Sequence, residues 1–197
     1  MAIESPSSTT IGTTTTLAMQ FKDHFSARST VYARYRPSYP VALFRWLAES
    51  SPGRQCAWDS ATGNGQAAIG LAQWFDSVVA SDASERQIED ARPHASVTYL
   101  VSPSEETTLH DQSVDLVLVA QALHWLDVDA FYREVRRVSR ADALIAVCSY
   151  SLARIDSRID SIVDHFYGDV LGDYWPAERR HVDTHYLDLP FPFEQIP

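Results

Sequence analysis

The sequence predicts an α/β fold, a doubly wound and mostly parallel sheet of five strands, and three observations carry that expectation. Five apolar runs alternate with stretches of helical periodicity from residue 41 onward. Each run is nearly continuous in apolar residues, as strands buried on both faces are. The first run opens into a glycine turn that leads directly into a helical pattern, the strand-turn-helix unit of open parallel sheets.

The elements follow in order. Residues 1–20, MAIESPSSTTIGTTTTLAMQ, are threonine-rich, lack a basic start and a continuous apolar stretch, and read as a flexible tail. In residues 21–40, FKDHFSARSTVYARYRPSYP, aromatics mix with arginines, and Pro37 and Pro40 bias Arg36 and Tyr39 away from helix. Pro40 suits the first turn of a helix that carries Leu43, Phe44 and Leu47 on one face and stops at Ser51, Pro52 and Gly53. Strands are predicted at 56–58, 77–82, 97–101, 114–120 and 143–150, with helices over 65–75, near 84–92 and over 128–139. Residues 152–197 read as one helix over 155–171, followed by an aromatic and proline-rich stretch on the substrate side of a single domain spanning 21–197.

Bulk properties narrow the function. A chain of 197 residues can bury roughly 70% of its unfolded surface around one core. A net charge of −10 repels nucleic acid and anionic membranes, and neither is expected as a partner. The densest basic stretch, residues 133–140, falls beside Phe131, Val135 and Val138 at helical spacing, so its arginines read as a solvated face. Cys56 and Cys148 sit in separate apolar runs and form no disulfide or metal framework, which fits a reducing, cytoplasmic setting. His181 and His185 have the i, i+4 spacing of zinc ligands, but no third ligand completes a motif, and no metal is expected.

Gly63, Gly65 and Ala68 satisfy a G-x-G-x-x-A spacing, a weak signal by itself. Asp59, at the end of the first strand, discriminates among ligands. Beside a pyrophosphate its carboxylate would be repelled by several kcal/mol in a partly dry cleft, whereas beside an ammonium the sign reverses. S-adenosylmethionine carries such an ammonium. Asp82 ends the second strand about twenty residues after the glycines, where a carboxylate can accept from ribose hydroxyls. Ser104 and Glu105 follow the third strand, at the expected adenine edge.

Together these residues resemble class I S-adenosylmethionine-dependent methyltransferases, in particular the methyltransferase type 11 branch that includes trans-aconitate methyltransferase-like proteins. The matching pieces are FSARSTVYARYRPSYP, WDSATGNGQ, VVASDASERQI, the SE of SPSEE, SVDLVLVAQALHWLD, FYREVRRVSR and YWPAERRHVD. The resemblance implies cofactor contacts from Asp59, Gly63, Gly65, Asp82, Ala83, Ser104, Glu105 and Gln121. It adds Tyr32 and Arg36 from an N-terminal segment, residues 21–40, that covers the cofactor in relatives. RADALIAV departs from the family pattern, which has a glycine turn before the fifth strand. Two further C-terminal strands are usual in the family, so the fifth strand is expected to need cover from residues 152–197 or from a second copy in a homodimer.

The candidate catalytic groups are His124 and Tyr32. His124 follows the fourth strand, where open α/β folds bind ligands, and reads either as packing or helix-start residue or as substrate contact or base. Trp125 reads as packing, and Arg36 either as a cap or as a carboxylate partner. The expected activity is methyl transfer to a carboxylate or hydroxyl of a small metabolite. The alternatives are a cofactor-binding protein with weak or no catalysis and an NAD-dependent oxidoreductase, the latter disfavoured by Asp59 and by Lys22 being the only lysine.

Overall fold

The computed structural model of the chain describes residues 37–196, so the predicted tail, most of the cover segment, and the candidates Tyr32 and Arg36 lie outside the described residues. Five parallel strands form one sheet: β1 (Cys56–Ser60), β2 (Ser77–Asp82), β3 (Val97–Val101), β4 (Val114–Ala120) and β5 (Ser139–Cys148). Their spatial order is β3-β2-β1-β4-β5. The chain winds outward from β1 to β3, then returns to the other side of β1 with β4. That reversal opens a crevice at the carboxyl ends of β1 and β4, the place where open α/β sheets bind ligands.

Side-chain alternation along β4 builds two cores. Leu116, Leu118 and Ala120 face α1 (Val41–Ser50) and α2 (Gln66–Leu71), where Phe44, Leu47, Ala67 and Leu71 are buried. Val114, Val117 and Val119 face α4 (Val128–Val138), packing with Trp58, Phe131, Val135 and Val138. All seven residues of β4 are buried, which its nearly continuous apolar run anticipated for every position but Asp115. Close packing explains Gly70: a Cβ there would lie 2.1 Å from the Phe44 ring. The short α3 (Glu85–Glu89) begins at Ser84, whose side chain accepts from the Gln87 amide.

At the amino end of the sheet, Asp115 is buried among donors. Its Oδ2 accepts from the amides of Gln55 at 2.8 Å and Cys56 at 3.0 Å, and its Oδ1 accepts from Arg140 Nη1 at 2.7 Å. Gly53 leaves the space this carboxylate occupies, since a Cβ would lie 2.6 Å from Oδ1. Arg137 is fastened too, to Glu134 and Asp111 and to the carbonyls of Leu109 and Thr107. The solvated-face reading of residues 133–140 is therefore corrected for Arg140, which meets the buried Asp115 carboxylate of β4, and for Arg137, which pairs with the buried Glu134 of its own helix and reaches the loop after β3.

The missing glycine turn before β5 is resolved by a bulge. Val114 pairs with Ser139 and Leu116 with Leu144, so five residue steps on β5 oppose two on β4, and Asp142 takes a φ of 63°. The helix expected over 155–171 is present as α5 (Ser157–Asp164), N-capped by Asp156 and continuing directly into a π-helical turn at His165–Val170. The aromatic stretch then folds back: Phe193 lies 5.2 Å from the Tyr132 ring, and Arg136 stacks over Phe193 at 5.0 Å. No strand among the described residues pairs with the outer edge of β5; residues 185–196 line a groove of about 640 Å³ beside it.

Burial works to raise the Asp115 pKa, but hydrogen bonds from Arg140, Cys56 and Gln55 outweigh it and the net shift is downward. A carboxylate with a depressed folded pKa stabilises the fold above its unfolded pKa, near 3.9, and that contribution disappears as pH falls through the folded value. Asp115→Asn is expected to cost about 2 kcal/mol at neutral pH in urea unfolding. The gap between parent and variant should shrink as the pH is taken below about 4.

Candidate cofactor and acceptor site

The carboxyl end of β1 does not simply turn into a helix. Ala61, Gly63 and Gly65 have φ of 52°, 58° and 83°, three left-handed residues within five positions. Successive conformations of this kind curl the backbone so that amides converge on a concave surface. Gly65 cannot be replaced cheaply, because its φ is left-handed and a Cβ would sit 2.8 Å from the Tyr99 ring.

Two aspartates organise this loop. Asp82 accepts from the Gly63 amide at 2.8 Å and from the Ser84 amide at 2.9 Å, so the end of β2 clasps the loop that follows β1. Asp59, only 1% exposed, accepts from the Thr62 hydroxyl. Its charge reaches across the sheet edge. Burial first, then the Asp59 carboxylate, raise the Tyr99 pKa from β3, and the same two causes lift Cys148 on β5 to about 11. A buried negative charge therefore lies at the centre of the crevice, between strands on both sides.

The other predicted cofactor residues fall on the same edge with distinct tasks. Ser60 donates to or accepts from Ser104 at 2.8 Å, which ties the loop after β3 to β1. Ala83 sits in the bend between Asp82 and Ser84. Glu105 accepts from the Asp127 amide at 2.9 Å, and Asp127 in turn caps α4, so Glu105 is turned toward that helix start. Gln121 has a φ of 61° and donates its amide N–H to the Cys148 carbonyl at 2.8 Å, bridging the ends of β4 and β5.

Whether S-adenosylmethionine suits these residues can be judged from groups that lack protein partners. Gln66 Oε1, at the start of α2, and Gln121 Nε2 are both shielded from water and have no hydrogen-bond partner among the described residues. One accepts and the other donates. Groups of both kinds around a glycine loop and a buried carboxylate match an amino-acid head joined to a nucleoside, and the residues present fit that cofactor. Gln66 was missed in the sequence reading, although an amide directly after the glycine turn is a visible signal.

His124 lies in a 3₁₀ turn, Leu123–Trp125, immediately after β4. Its Nδ1 is 2.9 Å from the Tyr186 hydroxyl, and its ring is 4.5 Å from that of Trp125. Burial chiefly, with the charges of Arg179 and His181 adding and Glu178 opposing, lowers its pKa to about 4. The ring is neutral at physiological pH. Arg179 itself is stacked against Tyr167 and Trp175, at 5.5 and 5.3 Å, and donates to the Tyr167 hydroxyl. His181 is engaged by Asp188 at 2.8 Å, and among the described residues no cluster of three or more His, Cys, Asp or Glu side chains could hold a metal ion.

This combination of reversed strand order, buried Asp59 and left-handed glycine loop defines a class I methyltransferase fold, and comparison with known proteins agrees. Residues 58–147 match the family model described as a methyltransferase domain. A Dictyostelium discoideum methyltransferase relative is 36% identical over 179 residues, covering 89% of this chain and 68% of its own length. A solved structure described as a type II methyltransferase from Anaeromyxobacter dehalogenans is 48% identical, with a TM-score of 0.78, covering 83% of this chain and 69% of that one. A Saccharomyces cerevisiae protein named as an S-adenosylmethionine-dependent methyltransferase is 25% identical over 171 residues, covering 80% of this chain and 59% of its own length. The chain belongs to the methyltransferase-domain family. It spans 59 to 69% of the length of these three relatives.

Because Asp82 serves the loop as well as any ligand, its loss is expected to act twice. Asp82→Asn should lower stability by about 1–2 kcal/mol, by weakening the bonds to the Gly63 and Ser84 amides, and weaken S-adenosylhomocysteine binding at least about tenfold. Thermal unfolding and calorimetry on one preparation would measure both. Normal binding in a destabilised variant would limit Asp82 to the structural task.

Proposed function

We propose that this chain transfers a methyl group from S-adenosylmethionine to an oxygen, a carboxylate or a hydroxyl, of a small-molecule metabolite. The observation that carries the reading is the buried Asp59 carboxylate beside a left-handed glycine loop. An anion there favours a cofactor that brings its own positive charge, and it opposes the pyrophosphate of a dinucleotide by several kcal/mol at an effective dielectric near 20. The oxidoreductase alternative also lacks a lysine partner, since Lys22 is the chain's only lysine.

Asp59, oriented by Thr62, would hold the ammonium. The Gly63–Gly65 loop would let the backbone approach closely, Asp82 would accept from the ribose, and Gln66 and Gln121 would take up the remaining polar groups. When bound, the cofactor supplies an activated methyl group on a sulfonium. The protein's task is then chiefly to orient the acceptor oxygen in line with that group near 3 Å, worth several kcal/mol of the barrier. The aromatic surfaces of Trp125, Tyr186 and Trp175 support a small organic acceptor over a polymer. The free Cys56 and Cys148 suit a reducing, cytoplasmic compartment, and no helix among the described residues is long and apolar enough to cross a membrane.

Calorimetry with two ligands tests the central claim. Asp59→Asn is expected to weaken S-adenosylhomocysteine about tenfold or more and adenosine less than about threefold, because only the former presents an ammonium. Equal losses for both would overturn the role given to Asp59. Turnover of methyl-labelled cofactor with a panel of carboxylic and hydroxy acids then tests the acceptor class, and a chain that binds S-adenosylhomocysteine yet methylates none of them would favour a catalytically weak family member.

A further inference from the structure

We propose that Tyr186 is a positioning residue for His124: its hydroxyl donates to Nδ1 and keeps the ring proton on Nε2, so that His124 offers the acceptor a hydrogen-bond donor rather than a base. The purpose of the arrangement rests on the methyl-transfer reading; the hydrogen bond itself does not.

The geometry is specific. Tyr186 Oη lies 2.9 Å from His124 Nδ1, and the two rings stack with centroids 5.9 Å apart and an interplanar angle of 29°. Two proton arrangements satisfy that distance. If Nδ1 carried the proton, the phenol would accept, and its own O–H would need another acceptor at this half-buried position. Among the described residues, His124 is the only hydrogen-bond partner given to that hydroxyl. If the phenol donates, both groups are satisfied by one bond. Burial above all raises the Tyr186 pKa well beyond its ordinary value, so the phenol keeps its proton.

Tyr186 is held firmly enough to do this. His185 and Tyr186 have φ of 55° and 60°, two consecutive left-handed residues without glycine. Such conformations persist only where the surroundings over-determine them. The Tyr186 amide donates to the His181 carbonyl at 2.7 Å, and the Leu189 amide donates to the Tyr186 carbonyl at 3.1 Å. Beyond it, Leu189, Phe191 and Phe193 pack on the core that contains Tyr132 and Phe131. The hook carrying Tyr186 is thus fixed from both sides.

The consequence concerns the acceptor. A neutral ring bearing Nε2–H, near Arg179 and His181 and opposed by Glu178, suits an oxygen that arrives already ionised and needs no deprotonation. An ionised carboxylate meets that requirement, whereas an aliphatic hydroxyl asks for a base that this histidine does not provide.

The test uses the full chain labelled with ¹⁵N-histidine, the His124 ring signal being assigned by its loss in His124→Gln. Long-range proton–nitrogen correlation is expected to find one His124 tautomer, protonated on Nε2, across neutral pH. In Tyr186→Phe the minor tautomer should rise about five- to tenfold, the equivalent of one lost hydrogen bond, while S-adenosylhomocysteine affinity stays within about twofold of the parent. A parent ring protonated on Nδ1, or an unchanged tautomer in Tyr186→Phe, would overturn the proposal. Failure of the methyl-transfer reading itself would show in the parent chain as absence of S-adenosylhomocysteine binding or of turnover, results separate from the ring signals.

Discussion

Asp82 accepts from the amides of Gly63 and Ser84, and much of the crevice depends on that pair of bonds. The left-handed loop of Ala61, Gly63 and Gly65 would not hold one shape in isolation, because glycine adopts left-handed and extended conformations at similar energy and Ala61 favours the extended one by about 1–2 kcal/mol. A carboxylate from the neighbouring strand selects one of them. The same strand pairing brings Asp59 opposite Ala80 and Leu118 in register, so the charge stands between β2 and β4 at one level. Loop shape and charge position are therefore both consequences of how β1 and β2 are aligned.

The opposite end of the sheet is held by a comparable device. Asp115 joins the start of β1 to β4 and, through Arg140, to β5, while Glu134 and Arg137 bind α4 to the loop after β3. Glu134 is 7% exposed, and leaving it or Asp115 without partners would cost several kcal/mol. Rigid anchoring at the amino edge leaves the carboxyl edge free to carry residues chosen for ligands.

The region after β5 obeys different rules. Ile155, Ile162 and Phe166 are exposed on α5 and around it, and none of the residues of α5 is buried. Val182, and then the stretch from Tyr186 to Phe193, rejoin the core. That stretch supplies the hydroxyl facing His124, so the acceptor side of the site is built from residues far apart in the chain.

The sequence by itself pointed to the five parallel strands, since nearly continuous apolar runs alternating with helical patterns fit a sheet covered on both faces, and it marked Asp59, Gly63, Gly65 and Asp82 through their spacing at the ends of the first two strands. Gln66 stood directly after the glycine turn, but only its burial without a partner among the described residues singled it out. What the sequence could not express were partnerships across distance. That Asp82 grips the glycine loop, that Arg140 meets the buried Asp115, that Arg137 reaches the carbonyls of Leu109 and Thr107, and that a bulge at Asp142 replaces a glycine turn all depend on strand register and packing. So does the meeting of His124 with Tyr186, sixty-two positions apart. Local periodicity records which face of an element is buried; it holds no information on which polar group waits there, because that is fixed only when the elements pack.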